Sequence, residues 1–140
     1  MAANNNPIFS GRPDVQWGTT AITTANTAKD GTGTVLTVFT ADATEGGYVE
    51  RMTFRAAGTN IATVARVFIN NGLTAATPAN NILYAEITLS ATTLSEVAAL
   101  VDYVVPLNLA LPPGYKLNVT VGTTVAAGYY VSVTGGKYIV

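Results

Sequence analysis

Eight carboxylates and seven basic side chains carry all the charge in this 140-residue sequence, which contains neither histidine nor cysteine. Without histidine no side chain has an ordinary pKa near neutrality. A Ser-His-Asp or Cys-His nucleophile cannot be assembled, and zinc and the transition metals lose their preferred ligands. What remains is carboxylate chemistry. A glycosidase pair needs one acid kept protonated by burial and a second about 5 to 10 Å away. Asp42 and Glu45 are close in sequence, but Gly46-Gly47 follows them at once, a context that reads as a solvated turn. None of the serines (Ser10, Ser90, Ser95, Ser132) stands at a spacing from a lysine that supports a Ser-Lys site. Calcium could be held by carbonyls and two acids, although the EF-hand pattern is missing. Gly31-Thr32-Gly33 lacks the third glycine and the following helix of a phosphate-binding loop, and reads as a hairpin turn. The expectation is a protein without catalytic residues, cofactor or bound metal.

The elements that would have to position any such groups are strands. Hydrophobic residues make up 49% and charged residues 11%, against roughly 25% charged in an ordinary soluble domain. The polar surface falls instead to asparagine, glycine and 22 threonines, and threonine favours extended backbone. A surface this poor in charge lacks the repulsion that keeps domains apart, so it suits a molecule that lives against neighbours. The basic residues Arg12, Lys29, Arg51, Arg55, Arg66, Lys116 and Lys137 are scattered and net charge is -1, which argues against nucleic acid as a partner. The most apolar stretch, Val97 to Leu111, is broken by Asp102, Pro106 and Asn108 and is shorter than the ~20 residues of a membrane helix. The first residues lack the basic and apolar regions of a secretory signal.

From Gly18 onward, short β-prone runs alternate with turn residues. Thr19 to Thr24 is a weak first strand and Thr34 to Ala41 a second. Tyr48 to Ala56 places Tyr48, Met52 and Phe54 on one face and Val49, Arg51, Thr53 and Arg55 on the other, with Glu50 interrupting. Ile61 to Ile69 is nearly apolar. Ile82 to Leu89 sends Leu83, Ala85, Ile87 and Leu89 inward. In Thr93 to Leu100, Leu94, Val97 and Ala98 stand at helical spacing and suggest one helical turn. Val101 to Leu111 returns to period two, Pro106 marking an edge or a bulge. Pro112-Pro113-Gly114 is a turn, and Tyr115 to Val121 and Tyr129 to Val133 complete the set.

About eight short strands in a chain of this size form an antiparallel β-sandwich, jelly-roll-like in preference to immunoglobulin-like, since the cysteine pair of the latter is missing. The sandwich is expected over residues 17–140, preceded by an extended N-terminal arm over 1–16 that either lies on its own domain or reaches a neighbouring subunit. Tyr48, Tyr103, Tyr115 and Tyr129 fall on inward faces and read as core rather than as a sugar-stacking platform. Arg51 and Arg55 share one face about 13 Å apart and could clamp carboxylates on a neighbour. Phe9, Arg12, Trp17, Arg51 and Arg55 are the candidate interface residues.

The runs from Asn26 to Val35 (NTAKDGTGTV), Gly58 to Gly72 (GTNIATVARVFINNG), Thr92 to Glu96 (TTLSE) and Leu111 to Leu117 (LPPGYKL) resemble those of small tailed-bacteriophage virion structural proteins, of the kind that decorate capsids. The similarity extends over most of the chain from about residue 17. It implies a jelly-roll-like domain on the outer surface of an assembled capsid, with the major capsid protein as partner. It further implies a homo-oligomer, a trimer being favoured, located in the virion after synthesis in the bacterial host cytoplasm. The alternative is a carbohydrate-binding β-sandwich or a receptor-contacting virion component; a carboxylate-based hydrolase is a third reading.

Overall fold

A computed structural model describes residues 10–138. They form eight strands: β1 (Ser10–Trp17), β2 (Leu36–Thr40), β3 (Gly47–Ala56), β4 (Thr63–Asn70), β5 (Asn81–Leu89), β6 (Asp102–Leu111), β7 (Lys116–Val121) and β8 (Tyr129–Tyr138), with one 3-10 turn at Pro78–Asn80. β1 pairs with β8, β2 with β7, β3 with β6 and β4 with β5, all antiparallel, so the chain is one long hairpin folded back at the β4–β5 turn. Two further pairings, β3 with β8 and β4 with β7, roll this hairpin into four-stranded sheets ordered β1-β8-β3-β6 and β2-β7-β4-β5. That arrangement is the jelly roll, a β-sandwich in which one chain supplies both sheets alternately.

Between the sheets lies one apolar core containing Phe39, Met52, Phe54, Leu89, Leu117, Val119, Val121, Tyr129, Val131 and Val133. Period two delivers these side chains to one face of each strand, and bulges in β2, β3 and β5 adjust it. In β3 an extra residue at Glu50 shifts the register against β8. Val49 and Met52, three apart, therefore both reach the core, while Glu50 and Arg51 face solvent. Tyr48, expected inward, stands instead on the outer side, where its hydroxyl donates to Asn108 Oδ1 at 3.0 Å. In β5 the register shifts between Ala85 and Leu83. Leu83, also expected inward, lies opposite Phe68 on the outer side, and Tyr84 turns its hydroxyl across the rim to the Leu107 carbonyl.

Two other expectations are corrected. Thr19 to Thr24 is not a strand; only Ile22 makes a bridge, to Tyr129, because this segment leaves the first sheet to cross to the second. Thr93 to Leu100, expected to hold one helical turn, is not helical. Of the expected arm, residues 10–16 are extended, as the edge strand β1; residues 1–9, with Phe9, lie outside the described residues.

Candidate interaction surface

The two outer faces of the sandwich are treated differently. On the β2-β7-β4-β5 sheet the β1–β2 connection lies across the strands. The Asn26 N–H bonds to the Val121 carbonyl of β7 at 2.7 Å, and Asn81 of β5 donates to the Asp30 carbonyl at 3.1 Å. Since β4 lies between β7 and β5, residues 26–30 must pass over it. Beneath them Phe68, Asn118 and Thr120 are buried although they point away from the inter-sheet core. Arg66 is also covered, its guanidinium paired with Glu86 at 2.8 Å.

On the β1-β8-β3-β6 sheet no described segment covers the outer face. Cross-strand register places its side chains in rows. Trp17, Ser132, Thr53 and Val104 stand opposite one another across the four strands, flanked on one side by Tyr130, Arg55 and Asp102 and on the other by Val15, Thr134, Arg51 and Pro106. Trp17 exposes 67% and Tyr130 58% of their surfaces, and Val15 and Val104 also expose more than half. Trp17 and Tyr130 are diagonal neighbours on adjacent strands, a separation of about 7 to 8 Å that rings of this size span. The face is about 14 Å across its four strands and nearly neutral. Arg55 holds both carboxylate oxygens of Asp102, at 2.7 and 2.8 Å, and Arg51 lies 3.6 Å from Glu50.

Of the sequence candidates, the fold brings Trp17, Arg51 and Arg55 to this one face. Arg12 is not with them. It lies opposite Lys137 and alternates to the same side as Gln16, which faces β2. Tyr130, Val15 and Val104 belong to the face and were not singled out from the sequence. Alternation supplies the signal for Tyr130, which lies between the inward residues Tyr129 and Val131.

The sheet edges are less open than the face. Pro13 in β1 and Pro106 in β6 remove donors from both edges of the first sheet. The short edge strand β2 is capped by the Gln16 amide, which donates to the Thr40 carbonyl and accepts from the Thr40 N–H, both at 2.9 Å. β5 is interrupted by its bulge. Strand addition is therefore discouraged on all four edges, and contact through a face is left as the open route.

Two of the carboxylates are engaged in turns. Asp42 accepts the N–H groups of Thr44 and Glu45 at 2.9 and 3.0 Å and lies 3.6 Å from Lys137. Those two N–H groups, with a smaller contribution from Lys137, hold its pKa below the usual aspartate value. Asp30 is lowered in the same direction, first by the Thr32 hydroxyl and then by the Thr32 N–H. Three shallow hollows, around Thr20–Leu36, Ala62–Thr123 and Ile69–Tyr115, have no carboxylate in their linings. Among the described residues no three acids gather as a metal site would require. No family model matches the chain, and no curated protein or solved structure shows significant similarity to it.

Proposed function

We propose that this chain is a non-enzymatic virion structural protein that decorates or cements the capsid of a tailed bacteriophage, as a homo-oligomer, against the major capsid protein. The observation that carries the reading is the asymmetry of the sandwich: one outer face is roofed by the chain's own connection, the other is crossed by no described segment, nearly neutral and set with exposed Trp17, Tyr130, Val15 and Val104. Such a surface gains by burial of its apolar side chains. The sequence resemblance supplies the class of partner.

Shells prepared without the protein test the proposal. Purified chain is expected to co-sediment with them and to raise their resistance to heat. Replacing Trp17 and Tyr130 together by alanine is expected to weaken that binding at least tenfold, since central aromatic side chains dominate interfaces, while the exposed positions leave the melting temperature nearly unchanged. Unaltered shells and absent binding overturn the reading. The neighbouring Trp17 and Tyr130 rings, beside the fixed Arg55–Asp102 pair, favour a second reading, a sugar-stacking platform. A glycan array separates the two, because binding there that is lost with the same double variant selects the platform.

A further inference from the structure

Seven of the eight strands place buried apolar side chains in the inter-sheet core, and β1 places none. On the side facing β2 it presents Arg12, Asp14 and Gln16, and on the other Val15 and Trp17, both exposed. What holds β1 is therefore largely main chain. Its ladder to β8 runs from Ser10 opposite Tyr138 to Trp17 opposite Ser132, and the Gln16 amide clamps Thr40. Behind the strand the attachment loosens. The Gly18 N–H still reaches the Val131 carbonyl at 3.0 Å, and Ile22, buried in the core, exchanges hydrogen bonds with Tyr129 at 2.9 and 3.2 Å. Between them Thr19, Thr20 and Ala21 make no hydrogen bond to a described residue, and both threonines are exposed. This stretch also carries slack. From Trp17 to Ile22 is five steps, whereas from Ser132 to Tyr129, their partners, is three, so it holds two residues more than continuous pairing needs.

We propose that β1 is an exchange strand, which leaves its own domain at Thr19–Ala21 and completes the β8 edge of a second copy of this chain. Complementarity fixes the occupant. A β1 supplied by another copy remakes the same ladder, the same Gln16 clamp and the same edge blunted by Pro13, so a strand is replaced and none is added. Little is lost at home, because no core side chain leaves with it. The other edge strands could not move in this way: β2 would take Val38 and Phe39 out of the core, β5 Leu89, and β6 Leu107 and Leu111. A ten-residue β8 left without a partner would bare its main-chain groups, so one donor or another is always required. Exchange of an identical element is a low-cost route to association, and copies held side by side on a shell meet at an effective concentration far above that in solution. Three extended residues reach about 10 Å, which sets the receiving β8 beside the donor's hinge. Val15 and Trp17 travel with the strand. Each bare sheet face is then built by two chains, with Trp17 from one copy beside Tyr130 of the other. This rests on the homo-oligomer of the proposed reading and supplies its mechanism.

The chain contains no cysteine, so an introduced pair reports alone. Val15→Cys with Thr134→Cys replaces residues that stand opposite one another on β1 and β8, a separation that a disulfide bridges. Oxidised in concentrated solution or seated on shells lacking the protein, the double variant is expected to run on a non-reducing gel at multiples of the chain mass. A monomer closed on itself under both conditions overturns the exchange. Refolded together in equal amounts, the two single variants should link one Val15→Cys chain to one Thr134→Cys chain; links between like chains instead overturn the register. Trp17→Cys with Ser132→Cys, also opposite one another, repeats the measurement if the reduced first pair fails to melt like wild type. Deleting Thr19 and Thr20 from the double variant removes the slack and lets Ile22 follow Trp17 in continuous pairing with β8. It is expected to return the linked species to a self-closed monomer, and undiminished linking overturns the hinge. Exchange in solution without binding to shells strikes the capsid reading alone, whereas binding to shells by self-closed monomers strikes only the exchange.

Discussion

At the residue scale the structure depends on a few polar side chains that tie turns together. Asn60, almost fully buried, donates to the Gly58 and Gly128 carbonyls and accepts from the Ala127 and Gly128 N–H groups at 2.8 to 3.3 Å. Through Thr92 it also holds the start of the β5–β6 connection. Asn60→Ala leaves buried main-chain groups without partners and is expected to cost about 3 kcal/mol, measured by denaturant unfolding. Asp42 acts in the same way at the opposite end of the sandwich but is charged and only half-buried. Its pKa is lowered in the folded protein, so its contribution is present above the ordinary aspartate value and is lost as pH falls through the folded one. Asp42→Asn should therefore melt below wild type at neutral pH, and the gap should close as the pH falls below about 4. A gap that persists at pH 2 would assign the effect to the lost geometry of the turn rather than to its charge. None of these roles is legible in the sequence. Asp42 reads correctly as a turn residue, but the partners of Asn60 lie up to 68 positions away, and nothing local announces them.

Elements were legible where alternation is uninterrupted and illegible where a bulge resets it. β6, β7 and β8 carry their inward residues on the strict period of two, and the sequence places them correctly. β3 and β5 each slip by one residue, which moves Tyr48 and Leu83 to the outer side. A bulge depends on both strands of a pair, so the composition of one strand does not reveal it. The strand expected at Thr19 to Thr24 fails for a related reason: its threonines favour extended backbone, and they are used in a connection that crosses from sheet to sheet. That connection makes a second small core. Phe68 is fully buried and yet outside the inter-sheet cluster, because residues 26–30 roof it. Phe68→Ala is expected to cost about 3 to 4 kcal/mol, the range of a buried aromatic truncation. The loss should be local as well as global. Hydrogen exchange at Asn26, whose N–H reaches β7, should accelerate more than exchange at Val131 and Val133 in the inter-sheet core. Equal acceleration at both would mean that the roof and the sandwich unfold as one unit.

For the whole molecule, the pairing order sets how the chain can reach its fold. The β4–β5 hairpin closes over residues 71–80, whereas β1 meets β8 with Ser10 opposite Tyr138. Closing entropy rises with the length of the loop, so each outer pair becomes affordable only after the pair inside it has shortened the effective loop. The rolled hairpin should thus assemble outward from β4–β5, and topology this non-local places refolding in the range of milliseconds to seconds. Val67→Ala in β4 and Val133→Ala in β8 remove equivalent buried groups, both fully inaccessible, and should destabilise by similar amounts. Their kinetic signatures should differ. Val67→Ala is expected to slow refolding in proportion to its loss of stability, and Val133→Ala to act chiefly by accelerating unfolding. Stopped-flow folding across a denaturant series measures both limbs. The reverse assignment would show that the terminal strands β1 and β8 nucleate the sandwich, and that the sheet bearing Trp17 and Tyr130 forms before the sheet that carries the roof.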